Sequence, residues 1–305
     1  MTARASARAR FRGCLTGLAV GDALGTTVEF QPPGSFAPIT DMTGGGPFNL
    51  QPGQWTDDTA MALCLATSLV ERGGFDPYDQ MRRYVRWYRE GYFSATGQCI
   101  DIGNTVRAAL ERFEHSGEPM AGSTDPHSAG NGGLMRLAPV AMAWALQAPE
   151  TSHFAAEATR TTHAAEEALD ASRLFATQLR HALNGEDKHI ILVGHRARIS
   201  APAIVEIAKG DVAGWDPATI AGTGYVVDSL RAALWCFATT EDFASAVLKA
   251  ANLGDDADTT AAICGQLAGA YYGVQGIPQH WREKIAMADT INALSDQLYQ
   301  AALLG

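Results

Sequence analysis

Lysine is scarce in this 305-residue chain. Four of its 23 basic residues are lysine, and 33 acids leave a formal net charge of −10. A surface of that sign repels a phosphate backbone, so no nucleic-acid partner is expected. No apolar run reaches membrane-spanning length, so no membrane partner is expected either. The five cysteines (Cys14, Cys64, Cys99, Cys236 and Cys264) are odd in number and show no CxxC spacing. They read as buried thiols in a reducing compartment, and the expected location is the cytoplasm. The basic, small-residue-rich start at 1–10 has no apolar segment behind it. It reads as a flexible terminus, with a transit peptide as the alternative. Period-two strand patterns are almost missing, as are a Walker A loop, a Gly-x-Ser-x-Gly elbow and paired metal-binding histidines.

What is present is helix. Apolar and small residues recur with helical spacing over 8–23, 60–72, 76–89, 101–115, 134–146, 152–161, 164–183, 226–239, 241–251, 258–272 and 278–304. Apolar content of 47% supports a large core, and 31 glycines with many alanines imply closely packed helices. The fold expected is all-α: one compact orthogonal helical domain over 11–305. Residues 31–53 carry Pro and Gly throughout and read as a long loop bordering a site. Ile190–Val193 fits a short strand or a helical turn equally.

Chemistry concentrates at two helix starts. Gly254-Asp255-Asp256-Ala257-Asp258-Thr259-Thr260 places three acids and two hydroxyls where a turn enters an apolar helix. Capping accounts for one or two such acids. Three within four residues repel one another unless solvent or a cation intervenes, and their oxygens suit Mg²⁺, Mn²⁺ or Ca²⁺ better than Zn²⁺. Gln54-Trp55-Thr56-Asp57-Asp58-Thr59 repeats this chemistry about 200 residues earlier. Facing each other, the two would supply oxygens for two divalent ions, while the fixed spacing of a calcium loop is missing. The Asp-x-Asp of haloacid-dehalogenase-type phosphatases needs a hydrophobic strand before it, which 249–254 is not. The Asp-Asp-x-x-Asp of terpenoid synthases fails because position 61 is Met.

Six further candidates have bland alternatives. Glu29 follows the first helix in a Gly/Thr turn and alone reads as a surface acid. Asp22 in the same region could brace that turn. Asp101 lies between apolar neighbours and could serve as N-cap of the 104–115 helix. Ser128-Ala129-Gly130-Asn131-Gly132-Gly133 is a glycine-rich loop before a helix, suited to phosphate oxygens. Arg136 could reach such a phosphate or pair with an acid, and His163 opens a helix where a cap is the ordinary role.

Taken together, Gly21-Asp22-Ala23-Leu24-Gly25, Trp55-Thr56-Asp57-Asp58-Thr59, Gly130-Asn131-Gly132-Gly133-Leu134-Met135-Arg136, Thr162-His163 and Gly254–Thr259 resemble the ADP-ribosylglycohydrolase family, in that family's order. The resemblance spans about residues 13–275 and implies an all-α fold with a dinuclear Mg²⁺ or Mn²⁺ cleft. It implies hydrolysis of a glycosidic bond at the C1″ ribose of ADP-ribose. By that resemblance Thr56, Asp57, Asp58, Asp256, Asp258 and Thr259 are metal ligands, and Glu29 sits near the metals. Ser128, Gly130, Asn131, Gly132, Gly133, Met135, Arg136 and His163 line the ADP-ribose cleft. Asp101 with Gly103, and the segment Gly224-Tyr225-Val226-Val227-Asp228, are similar to the dinitrogenase-reductase-activating branch, which releases ADP-ribose from arginine. Asp101 is then the acid that holds or protonates the leaving guanidine, with Glu29 as alternative. The expected partner is an ADP-ribosylated protein or ADP-ribose conjugate, and the expected state a monomer. Hydrolysis of serine-linked or O-acetyl ADP-ribose, and a non-catalytic ADP-ribose-binding or crystallin-like protein, are the competing expectations. Residues 31–51 match nothing in the family pattern, which leaves the protein target open.

Overall fold

Two helices lie backbone to backbone at the centre of the molecule. Helix α1 (Ala7–Gly25) carries Gly13, Gly17, Gly21 and Gly25 at four-residue spacing, one face of a helix. Helix α12 (Ala257–Tyr272) presents Ala257, Ala261, Gly265 and Gly269 at the same spacing. The stripes meet antiparallel. A methyl placed on Gly13, Gly17, Gly21 or Gly25 would lie 2.1–2.3 Å from the carbonyl oxygen of Gly269, Gly265, Ala261 or Ala257 respectively. No side chain fits there, so the sequence spends its small residues on this crossing. The end of α1 and the start of α12 are thereby held side by side.

The computed structural model describes residues 5–193 and 198–304. Around the central pair run α2 (Asp57–Arg72), α3 (Pro77–Glu90), α4 (Asn104–Ser116), α5 (Ala138–Ala143), α6 (Ala148–Arg160) and α7 (Glu166–Leu183). They are followed by α8 (Lys188–Leu192), α9 (Pro202–Ile207), α10 (Val226–Ala238), α11 (Phe243–Ala251), α13 (Gln279–Lys284) and α14 (Ala288–Leu304). Among the described residues there is no β-strand, only three isolated bridges. The fold is all-α, as expected. One contiguous core, anchored by Trp55, Trp87, Phe175, Phe237 and Trp281, runs through most of these helices. No described helix is long and apolar enough to cross a membrane.

Helix α14 packs on α1 through Phe11 against Tyr299, ring centroids 5.0 Å apart, and through Arg8 and Arg12, both 2.6 Å from Asp296. The stretch expected as flexible (1–10) has its first four residues outside the described ones, and α1 opens at Ala7 with Ser6 as its cap. Ile190 to Leu192 are helical, in α8. Residues 194–197 lie outside the described residues.

Three expected helices differ. The 101–115 segment begins its helix at Asn104, with Gly103 as N-cap, because Asp101 is left-handed at φ +57. The 134–146 segment is shortened to α5, preceded by a 3₁₀ turn at Asn131–Gly133, since Pro139 fits only a first helical turn. The 278–304 segment is broken between α13 and α14, where Met287 adopts φ +50.

The 31–53 segment is a long connection held at several points. Asn252 exchanges hydrogen bonds with both backbone groups of Ile39, at 2.8 and 2.9 Å. Asp41 accepts from Trp281 Nε1 at 2.6 Å. Gly46 packs on Thr26 O so closely that a Cβ would meet it at 1.9 Å. The loop therefore rests on the turn that carries Glu29.

Candidate metal centre and adjoining cleft

Asp22, near the end of α1, organises the site from beneath. It is fully buried. Its carboxylate accepts from Thr56 N at 2.8 Å, Thr59 N at 3.0 Å and Thr59 Oγ1 at 2.6 Å. The brace expected of Asp22 is therefore a helix cap supplied from another helix. It satisfies the start of α2, where the Thr56 side chain does not cap its own helix. Thr56 Oγ1 lies 2.9 Å from Asp22 Oδ1 and 3.0 Å from Asp258 Oδ2. Thr259 Oγ1 is 3.4 Å from Asp58 Oδ1. The two acid-loaded helix starts thus face each other across the end of α1.

Two sets of three carboxylates share Asp258. Asp57, Asp58 and Asp258 each place one oxygen within 4.8 Å of the others, as do Glu29, Asp101 and Asp258. Asp101 is swung into the second set by its left-handed backbone, which explains why it does not cap α4. Burial first, then mutual repulsion, raises the acids of this cluster. Asp57, Asp58 and Asp258 are pushed well above the ordinary carboxylate range. Glu29 is pushed to about 10 by burial and by Asp101, Asp256 and Asp22. Burial raises Asp101 to about 7, with Asp256 and Asp22 adding to it. A divalent cation among these oxygens reverses that push, because it favours the ionised form. The donor set fits such an ion. It is all oxygen and hard, and buried Asp58 Oδ2 and Asp258 Oδ1 have no hydrogen-bond partner among the described residues. Positive helix starts at α2 and α12 add partial compensation.

Asp256 belongs to neither set of three but borders both. Its Oδ2 accepts from Asn131 Nδ2 at 2.7 Å, and its N–H donates to Gly222 O at 2.8 Å. It acts on Glu29, Asp58, Asp101 and Asp258 as a neighbouring charge. Through Asn131 it also ties the acids to the glycine-rich loop. That loop is clamped by the 222–226 segment: Asn131 N–H donates to Gly224 O at 3.1 Å, and Val226 N–H to Ala129 O at 3.0 Å. Ser128, Gly130 and Tyr225 join Thr105, His127 and Glu167 around a cavity of about 530 Å³. Tyr225 is held there by Glu167, its hydroxyl donating to Oε2 at 2.6 Å.

Arg136 and His163 support this loop from the interior. Arg136 is 1% exposed, donating to Gly132 O and Thr162 Oγ1 at 2.5 Å and lying over the Tyr84 ring. Buried His163, its Nδ1 2.9 Å from Thr162 Oγ1, packs under Gly132, where a Cβ would lie 2.6 Å from the ring. Burial, then Arg136, lowers its pKa to about 3, so it is neutral. Met135 is buried. The Ser128 hydroxyl turns back to Asp125 O at 2.6 Å. Sequence reasoning did not foresee Asp101 joining Glu29 and Asp258, nor the Asn131–Asp256 bond. Both depend on chain reversals that no spacing encodes.

Comparison with known proteins agrees with this geometry. The ADP-ribosylglycohydrolase family model matches residues 3–304. An ADP-ribosylarginine hydrolase Tri1 of Pseudomonas putida (strain GB-1) is 45% identical, over 96% of this chain and 78% of its own length. The protein of that name from Serratia proteamaculans (strain 568) is 40% identical, over 95% and 79%. An ADP-ribosyl-dinitrogen reductase glycohydrolase of Rhodospirillum rubrum is 34% identical, over 91% and 90%. A solved chain titled ADP-ribosylglycohydrolase-related protein complex superposes with a TM-score of 0.86 at 45% identity, over 97% of this chain and 99% of that one. With the motifs, the all-helical fold and the carboxylate cluster in agreement, this chain belongs to the ADP-ribosylglycohydrolase family and is an enzyme of the hydrolase class.

Proposed function

We propose that the enzyme releases ADP-ribose from ADP-ribosylated arginine on a protein, with Mg²⁺ or Mn²⁺ held by Thr56, Asp57, Asp58, Asp256, Asp258 and Thr259. The carrying observation is the buried carboxylate cluster centred on Asp258, with two acid oxygens lacking partners. The names of the relatives at 40–45% identity support arginine as the linkage. Divalent ions, when bound, supply Lewis acidity toward ribose hydroxyls and water and neutralise the acids. The protein's own groups do the rest. The start of the 3₁₀ turn at Gly132 and Gly133 offers N–H donors to the pyrophosphate. Asn131 and the Tyr225–Glu167 pair fix the wall on which the nucleotide half lies. Bond breaking at C1″ develops positive charge on the ribose, which surrounding carboxylates stabilise.

Asp101 holds or delivers the proton at the leaving guanidine nitrogen, and Glu29 takes the proton from the attacking water. Because Asp101 lies with Glu29 and Asp258, it is also placed to touch an ion, a second role beside the acid. The enzyme acts as a monomer. The test is a release assay with arginine-, serine- and acetyl-linked ADP-ribose, each with Mg²⁺, Mn²⁺ or EDTA. Metal-dependent cleavage of the arginine linkage above the others is expected. Equal rates in EDTA would remove the metal, and preference for serine would reassign the linkage.

A further inference from the structure

Glu29 points into the site, and the next residue leaves it. Phe30 is 64% exposed, more than any other aromatic side chain among the described residues. Its backbone is held at φ +62, where a bulky side chain persists only if its surroundings enforce it. A reciprocal backbone pair does so. Phe30 N–H donates to Asp255 O at 2.8 Å, and Asp255 N–H donates to Gln31 O at 2.9 Å. Asp255 is itself left-handed, at φ +53. Packing does not explain the choice of Phe, since an exposed ring gains little and Gly or Asn takes this backbone more easily.

The ring meets one neighbour edge-on. Phe48 lies 6.4 Å away, centroid to centroid, on a turn closed by the Gly45–Leu50 backbone pair. That turn is seated on Thr26, so the aromatic pair is fixed relative to Glu29. The Asp255 carboxylate makes no hydrogen bond or ion pair among the described residues. An aromatic pair with one exposed ring, and an unpaired carboxylate on the residue whose backbone is bonded to Phe30, fit a cation by ring quadrupole and by charge. Phe30 is exposed, and Phe48 and Asp255 are half-buried, so each keeps a side open to solvent.

We propose that Phe30, Phe48 and Asp255 form a rim that docks a cationic side chain flanking the modified residue of the protein substrate. The inference rests on the reading that the site cleaves ADP-ribosylated arginine on a protein. It gives residues 31–53 a purpose: they carry Phe48 to the rim and hold it there. The partner is thereby specified as a basic polypeptide segment.

The test uses full-length enzyme and three substrates: free ADP-ribosylated arginine, and peptides with one ADP-ribosylated arginine flanked by lysines or by glutamates. Phe30→Asn and Asp255→Asn keep residues that tolerate left-handed backbone, and Phe48→Ser removes the second ring. Wild type is expected to favour the lysine-flanked peptide by about tenfold in kcat/KM, carried by KM. Each variant should lose most of that preference while cleaving free ADP-ribosylated arginine at the wild-type rate and melting at the wild-type temperature. Cleavage of both peptides with equal kcat/KM by wild type, or retained preference in all three variants, overturns the rim alone. Failure of wild type to cleave free ADP-ribosylated arginine or either peptide overturns the underlying reading and the rim with it.

Discussion

Replacing Gly17 with Ala tests whether the central crossing of α1 and α12 holds the molecule together as described. The added methyl would lie 2.2 Å from Gly265 O, against ordinary contact from 3.4 Å. That oxygen belongs to a helix and cannot swing aside, so the helices must part by roughly 1 Å. A gap of that size forfeits about a quarter to a half of each affected dispersion contact. Overpacking of this kind costs about 1–3 kcal/mol, and with rigid backbone on both sides the upper end or beyond applies. Helix propensity returns about 1 kcal/mol for Gly to Ala. The net loss is then about 2–3 kcal/mol, or about 3–5 °C in Tm for a chain of this size.

Gly265→Ala meets Gly17 O in the same way, at 2.1 Å. Once the helices have parted for one methyl, the second finds room. The double variant should therefore lose clearly less than the sum of the singles, by about 1 kcal/mol or more. Thermal melts and urea titrations of the three variants supply the measurement. A single variant as stable as wild type, or strict additivity in the double, would refute the backbone-contact account. Position along the crossing matters for chemistry. Gly25→Ala pushes on Ala257 and Asp258 backbone directly, whereas Gly13→Ala acts near Gly273, at the far end. Both should destabilise, but only Gly25→Ala should also lower turnover of the protein that remains folded.

Other outcomes follow from the site. Protein stripped of divalent ions should gain Tm on adding Mg²⁺ or Mn²⁺, and Asp58→Asn should shrink that gain, because it removes one of two unpartnered buried acids. Asp101→Asn should lower kcat on arginine-linked substrate by about 10²–10⁴-fold while sparing ADP-ribose affinity; near wild-type turnover would transfer the acid role to Glu29. Gly132→Val collides with the His163 ring, so it should lower Tm as well as ADP-ribose affinity; an unchanged Tm would contradict the packing seen here. Asp41 is held at about 2, below its ordinary value, chiefly by Trp281 Nε1–H and also by Lys284. Its contribution to stability is present above pH ~3.9 and fades as pH falls through about 2; Asp41→Asn should flatten the stability profile in that window, by a small amount because the side chain is half-exposed.

The helix starts at Thr56–Thr59 and Asp256–Thr259 were legible in the sequence because cap chemistry is local: three acids in four residues need an external counter-charge wherever they fold. The small-residue stripes of α1 and α12 were legible as composition. Their antiparallel register was not, because it joins segments about 240 residues apart. The alternative of a helix cap for Asp101 could not be dismissed from sequence for a comparable reason. Its φ of +57 is imposed by tertiary contacts, and no propensity of Asp predicts it. Arg136 sits in a motif that invites a phosphate reading, yet its guanidinium is consumed by Gly132 O and Thr162 in the interior. What the spacing could not convey was which side of the loop it approaches.

The α1–α12 crossing also sets a schedule. Ribosomes add about 5–20 residues per second, so the partner of α1 emerges roughly 12–50 s after α1 itself. Through that interval the glycine face of α1 has no partner stripe, and Asp22 lacks the Asp258 end of the Thr56 bridge. Contacts this distant in sequence close late and slowly, since the entropy of closing a long loop comes before any stabilisation from it. A nascent chain of this enzyme is thus exposed to aggregation for most of its synthesis, and the catalytic acids can assemble only after nearly the whole polypeptide has been made.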